Sequence, residues 1–187
     1  MRVLFRTTLA ALSLACLAGS FVTLAPNGAL AQGAPAGQAQ QLKQIALTDK
    51  QIDNVLASQK EMDAITEKLP DNTPPDQKVI GQLDAVAKKH GFASYDDYNV
   101  VIDNISLVMG GIDPQSKKYV GSETVIKQEI AQVQADKTMK ADDKKQAVDS
   151  LNMALQAKAP EVENKGNIDL VVKYYDKLAA ALGEDVN

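Results

Sequence analysis

Residues 95–109, YDDYNVVIDNISLVM, constrain this chain more than any other stretch. Val100, Val101, Ile102, Ile105, Leu107, Val108 and Met109 recur closely enough to cover most of the circumference of one helix. A helix that is apolar nearly all round is stable only when other helices surround it. The stretch therefore predicts a bundle with this helix at its centre. Asp103 and Asn104 interrupt the apolar run and argue against insertion in lipid. Ser94, with Asp97 three residues on, supplies a capping start, and Gly110-Gly111 supplies a stop.

The flanking segments supply the surrounding helices. In LTDKQ, residues 47–51, Thr48 is placed to cap a helix with Gln51 as its reciprocal partner, and Leu47 with Ile52 can form the accompanying staple. Ile52, Val55, Leu56, Ile65 and Leu69 keep helical spacing until Pro70–Pro75. Thr73-Pro74 predicts the start of a second helix that buries Val79, Leu83 and Val86. Lys88, Lys89 and His90 fall in its last turn, where cations offset the exposed carbonyl dipole, and Gly91 is its left-handed stop. A fourth helix is expected from about Glu123 to Asp136, behind Ser122, burying Val125, Ile126, Ile130 and Val133. A fifth should span about Lys140 to Ala157 and bury Val148, Leu151 and Leu155. Asn167 is placed to cap the last helix, which buries Val171, Val172, Tyr175, Leu178 and Leu182 and stops at Gly183. No segment alternates with period two between turn residues, so the fold class is all-α, a bundle of about six helices.

The first residues read differently. Arg2 and Arg6 precede an apolar stretch from Leu9 to Leu24, and Ala29-Leu30-Ala31 forms a small-x-small site. This order predicts a secretory signal, residues 1–31, cleaved after Ala31, and a periplasmic or secreted product. The apolar stretch is short for a bilayer span and no second one follows, so no membrane span is expected after cleavage. Residues 32–46 begin with small, unpatterned residues and read as a flexible linker, leaving 47–187 as the helical domain.

Removing residues 1–31 removes both arginines and Cys16, the only cysteine, so eighteen lysines then face twenty-four acidic residues. Without cysteine no disulfide forms, and without arginine there is no guanidinium fork for phosphate or carboxylate. The acidic balance and dispersed lysines exclude the basic stripe that nucleic acid requires. His90 is the sole histidine and its helix-end position accounts for it, so zinc, copper and histidine-based nucleophile systems are not expected, nor is any cofactor.

The acidic pairs Asp96-Asp97 and Asp142-Asp143 fall in first helical turns, where the dipole favours them. No segment has the acid spacing of a calcium loop. In SLVMGGIDPQSKKYVGSE, residues 106–123, the glycines follow a helix rather than a strand, unlike a phosphate-binding loop. Gly111 is expected in a left-handed stop, and Lys117, Lys118 and Tyr119 form the exposed part of the connection, a candidate contact surface.

The segment KKHGFASYDDYNVVIDNISLVMGGIDP, residues 88–114, resembles small exported helical proteins of alphaproteobacteria, with a likeness extending over most of residues 45–183. That resemblance implies a periplasmic helical protein and carries no catalytic residues. LTDKQ is also similar to the LTxxQ motif of the Spy/CpxP group of periplasmic stress proteins. This likeness implies a small helical protein, often dimeric, that in the best-known case binds unfolded clients. The sequence thus favours action by binding, with a protein partner in the cell envelope and a stress or chaperone-like role. The alternatives are a small cofactor-free hydrolase or lyase, or an accessory subunit of an envelope complex.

Overall fold

The computed structural model describes residues 42–69 and 75–183. They form six helices and one small β-ribbon in the order α1 (Asp49–Thr66), α2 (Gln77–Lys89), α3 (Tyr95–Met109), β1 (Ile112–Asp113), β2 (Lys118–Tyr119), α4 (Ser122–Ala135), α5 (Ala141–Ala157) and α6 (Gly166–Leu182). The fold is all-α apart from that ribbon, whose antiparallel register sets Ile112 opposite Tyr119.

The caps follow from side-chain chemistry at the helix starts. Thr48 Oγ1 accepts from the Gln51 N–H, and Gln51 Oε1 accepts from the Thr48 N–H at 2.9 Å, closing the expected box before α1. Leu47 and Ile52 are buried in the same cluster, as a staple requires. Ser94 Oγ accepts the Asp97 N–H at 3.1 Å before α3. Helix α2 starts later than expected: Asp76 is its cap, accepting the Val79 N–H at 2.8 Å, and the Thr73-Pro74 start lies outside the described residues. Gly91 stops α2 at φ 91°, as predicted.

Helix α3 packs against α1, α2 and α6, so the most apolar segment is central. Val101, Ile105 and Val108 are fully buried with Ile52 and Val55 of α1, Leu83 of α2 and Val171 and Leu178 of α6. Each such side chain contributes about 1.5–3 kcal/mol through removal from water.

Three expectations fail in ways that bear on function. Residues 43–46, assigned above to the linker, are held by hydrogen bonds from α3, α6 and the segment before α6. Asn167 does not cap α6. It lies 3% exposed within the first turn and binds residues 45 and 47 instead, while Lys165 occupies the cap position. Helices α4 and α5 have no buried residue at all. Val125, Ile126, Ile130, Val133, Val148, Leu151 and Leu155 are only half-buried, because α4 and α5 pack chiefly on each other and two helices alone leave both edges of their seam open.

Candidate functional site

The connection after α3 is a tight ribbon, and it separates the three residues expected to share a surface. Asp113 accepts the Ser116 N–H on Oδ1 at 2.6 Å and the Lys117 N–H on its carbonyl at 2.8 Å, turning the chain back. The Ser116 N–H, followed by the Ser116 hydroxyl, holds the Asp113 carboxyl below its ordinary pKa. Lys117 sits at φ 54°, a left-handed conformation costly for a residue with a β-carbon, and its Nζ lies 2.7 Å from Asp176 Oδ1 on α6. Lys118 is exposed. Tyr119 is half-buried and packs against the core rather than facing outward with the lysines.

The ring of Tyr119 also corrects the reading of Gly111. The positive-φ glycines among the described residues are Gly91, Gly121 and Gly183, so Gly111 is not a left-handed stop. A β-carbon at Gly111 would instead lie 2.3 Å from Tyr119 Cε2. Glycine is needed because an aromatic ring occupies the space. The Gly111 carbonyl then accepts from both Val120 (2.8 Å) and Gly121 (3.0 Å), fixing the entry into α4.

Beyond that anchor, α4 and α5 form an arm. Lys144 Nζ donates to the carbonyls of Gln134 (3.1 Å) and Asp136, satisfying the end of α4, while Asp136 accepts the Thr138 N–H at 2.7 Å. Residues 122–158 carry six acidic residues and six lysines, so the arm is neutral in a chain of net charge −4. Partial desolvation raises the pKa of Glu129 on α4, although the residue is exposed. Met153, 63% exposed, adds apolar surface on α5. An amphipathic pair with an open apolar seam and no net charge is chemically suited to apolar protein segments.

A shallow groove of about 460 Å³ lies along α1 and α6, lined by Gln59, Asp63, Glu67 and the small Ala180 and Ala181 among others. Tyr98 Oη donates to Gln59 Oε1 at 3.0 Å, and Gln59 Nε2 donates to Asp63 Oδ1 at 2.8 Å. Burial, reinforced by Tyr95 and Asp63, pushes the Tyr98 phenol up to about 12, so it remains a donor at neutral pH. Tyr95 stacks on Tyr98 at 6.0 Å and Phe92 meets it edge-on at 5.3 Å, which fixes the ring. This relay orients one carboxylate oxygen of Asp63 and leaves the groove open to water.

His90 has the structural role its position predicts. It caps α2, and its Nε2 lies 3.0 Å from Glu61 Oε1 while Lys89 Nζ donates to both Glu61 oxygens at 2.8 Å. Lys89 first, then His90, holds the Glu61 carboxyl below its ordinary pKa. The pairs Asp96-Asp97 and Asp142-Asp143 occupy first helical turns as expected. Among the described residues no group of three or more His, Cys, Asp or Glu is placed to hold a metal, and no helix is long and apolar enough to cross a membrane.

Sequence reasoning missed Asn104 and Asn167 as binding residues. Asn104 is 1% exposed, and its Oδ1 accepts the Ile45 N–H at 3.0 Å while Nδ2 donates to the Lys43 carbonyl at 2.8 Å. One polar side chain inside an otherwise apolar helical stripe was the available signal. Comparison with protein-family models, with curated proteins and with solved structures finds no match to this chain.

Proposed function

We propose that this chain is an exported, cofactor-free binding protein of the cell envelope that holds apolar segments of other proteins against the α4–α5 arm, in a stress or chaperone-like role. The carrying observation is that helices of fourteen and seventeen residues lack a single buried side chain. Amphipathic helices in a compact domain normally gain their stability by burying the apolar stripe, so a stripe left half-open is surface available to a partner. The neutrality of the arm supports the reading, since the arm itself adds no long-range repulsion toward acidic clients. The charged, apolar and small-residue order of residues 1–31 supports export; those residues lie outside the described part of the chain.

The test is aggregation of a chemically denatured substrate protein followed by light scattering. The protein should suppress aggregation at near-stoichiometric amounts, and the Ile130→Ser/Leu151→Ser variant, with helicity retained, should lose that effect. Equal suppression by both proteins, or none by either, overturns the reading. Export is tested separately by the intact mass of the periplasmic protein, which should begin at Gln32.

A second reading rests on the Tyr98–Gln59–Asp63 relay, which orients a carboxylate at the mouth of a groove as a hydrolase or lyase base requires. Turnover of a small ester or glycoside that disappears in Asp63→Asn would favour it.

A further inference from the structure

The cleft between α3 and α6 is filled by a piece of the chain in a manner that describes its own ligand. Residues 43–47 lie outside any helix or strand, and four of their main-chain groups are satisfied by two buried side chains. Asn104 takes the Lys43 carbonyl (2.8 Å) and the Ile45 N–H (3.0 Å). Asn167 takes the Ile45 carbonyl (2.8 Å) and the Leu47 N–H (2.8 Å). Gln44 extends the pattern sideways, donating to the Glu161 carbonyl at 2.8 Å and accepting the Glu163 N–H at 2.9 Å, on either side of the buried Val162.

We propose that this cleft is a peptide-binding site, occupied in cis by residues 43–47, that accepts other segments with apolar side chains two residues apart. The site is distinct from the arm and does not depend on the function assigned to it. Side-chain amides that alternate donor and acceptor reproduce the edge of a β-sheet, the surface to which extended peptides add a strand. Such recognition reads the main chain and is indifferent to most side chains. Selectivity comes from the two positions that pack inward, Ile45 against the core and Leu47 within it. The asparagines also make the empty cleft costly, because removing the segment leaves buried amides without their partners. One peptide must therefore replace another, and the cis segment competes at an effective concentration of roughly millimolar or more. Weakening that competitor while sparing the asparagines should unmask the site.

The test uses a fluorescently labelled synthetic peptide with the sequence of residues 42–48, titrated by anisotropy into the full mature protein and its Gln44→Ala/Ile45→Ala variant. The variant should bind saturably and about ten-fold more tightly than the wild type, because its own segment competes less well. The same peptide N-methylated at the amide of its isoleucine lacks the hydrogen that Asn104 accepts, and should lose binding with the protein unchanged. A peptide carrying valine at both apolar positions should bind within about three-fold of the parent, as main-chain reading requires. Light scattering separates the two sources of such a ligand. A wild-type dimer that the peptide converts to monomer marks exchange of residues 43–47 between copies, whereas a monomer throughout marks foreign segments. No saturable binding to a variant with native circular dichroism, or equal binding of the N-methylated peptide, overturns the proposal.

Discussion

Asn104 and Asn167, on different helices, close on the same residue from two sides: one accepts the N–H of Ile45 and the other donates to its carbonyl. Both amides are almost wholly buried, and neither is spent on capping its own helix. Asn104 also donates to the Val100 carbonyl at 2.8 Å, so its orientation is fixed by α3 before the segment arrives.

Asn104→Leu or Asn167→Leu should therefore each destabilise the fold by about 2–4 kcal/mol, because main-chain groups of residues 43–47 lose their partners in a water-poor setting. The double variant should cost less than the sum, since both act on the same segment. Urea unfolding of the four proteins measures the coupling, and strict additivity would mean the two amides act separately.

Gly111→Ala should destabilise by about 1–3 kcal/mol through collision with the Tyr119 ring. The loss should largely disappear in a Tyr119→Ser background, which empties the space without touching the backbone. Thermal melts of the two pairs distinguish this steric cause from a backbone one, which the second substitution would not relieve.

Lys117→Gly should stabilise the ribbon by about 0.5–1 kcal/mol, since glycine adopts the φ of 54° without steric cost. The lost contact with Asp176 joins two exposed side chains and offsets little of that gain. A lowered melting temperature would show that the lysine contributes more than its geometry accounts for.

Ile105→Ala should cost about 2–5 kcal/mol, because the residue is fully enclosed at the centre of the bundle. Leu151→Ala, on the half-open seam of the arm, should cost clearly less, since its side chain remains partly in water in either case. Comparable urea midpoints for the two variants would contradict the difference in burial.

Asp103 gives a pH dependence of defined sign. Asp103 is exposed on α3 but partly desolvated there, which raises its folded pKa above the ordinary 3.8, so the folded state weakly disfavours the charged form. Its destabilising contribution is absent below 3.8, grows as pH rises through the interval up to the folded pKa, and is fully present above it. Asp103→Asn should accordingly stabilise the protein at pH 7 and confer no gain at pH 3. A gain that persists at pH 3 would point to packing instead of charge.

What could be read from the chain followed the range of the interactions. Thr48 with Gln51, Ser94 with Asp97, and Gly91 are local devices whose partners lie within a few residues, and all stand where the sequence places them. The central position of α3 was legible because a helix apolar all round has few places to go. Burial in α4 and α5 was not, because the same helical spacing serves a stripe sealed by a core and a stripe half-covered by one neighbour. Asn167 looked like a cap because asparagine before an apolar run usually is one; its actual partners, Ile45 and Leu47, lie far away in sequence. Tyr119 over Gly111 was equally hidden, since a glycine required by a neighbouring ring is indistinguishable in sequence from one required by its own dihedral angles.

The anchoring of α4 at the Gly111 carbonyl sets a boundary between two grades of permanence. Because no side chain of α4 or α5 is buried, the arm can open without emptying a single fully enclosed position of α1, α2, α3 or α6. Its amide hydrogens should exchange with solvent through a local opening, whereas those of α3 should wait for global unfolding. Loosening and re-forming of one element can thus be repeated many times within the lifetime of the folded molecule.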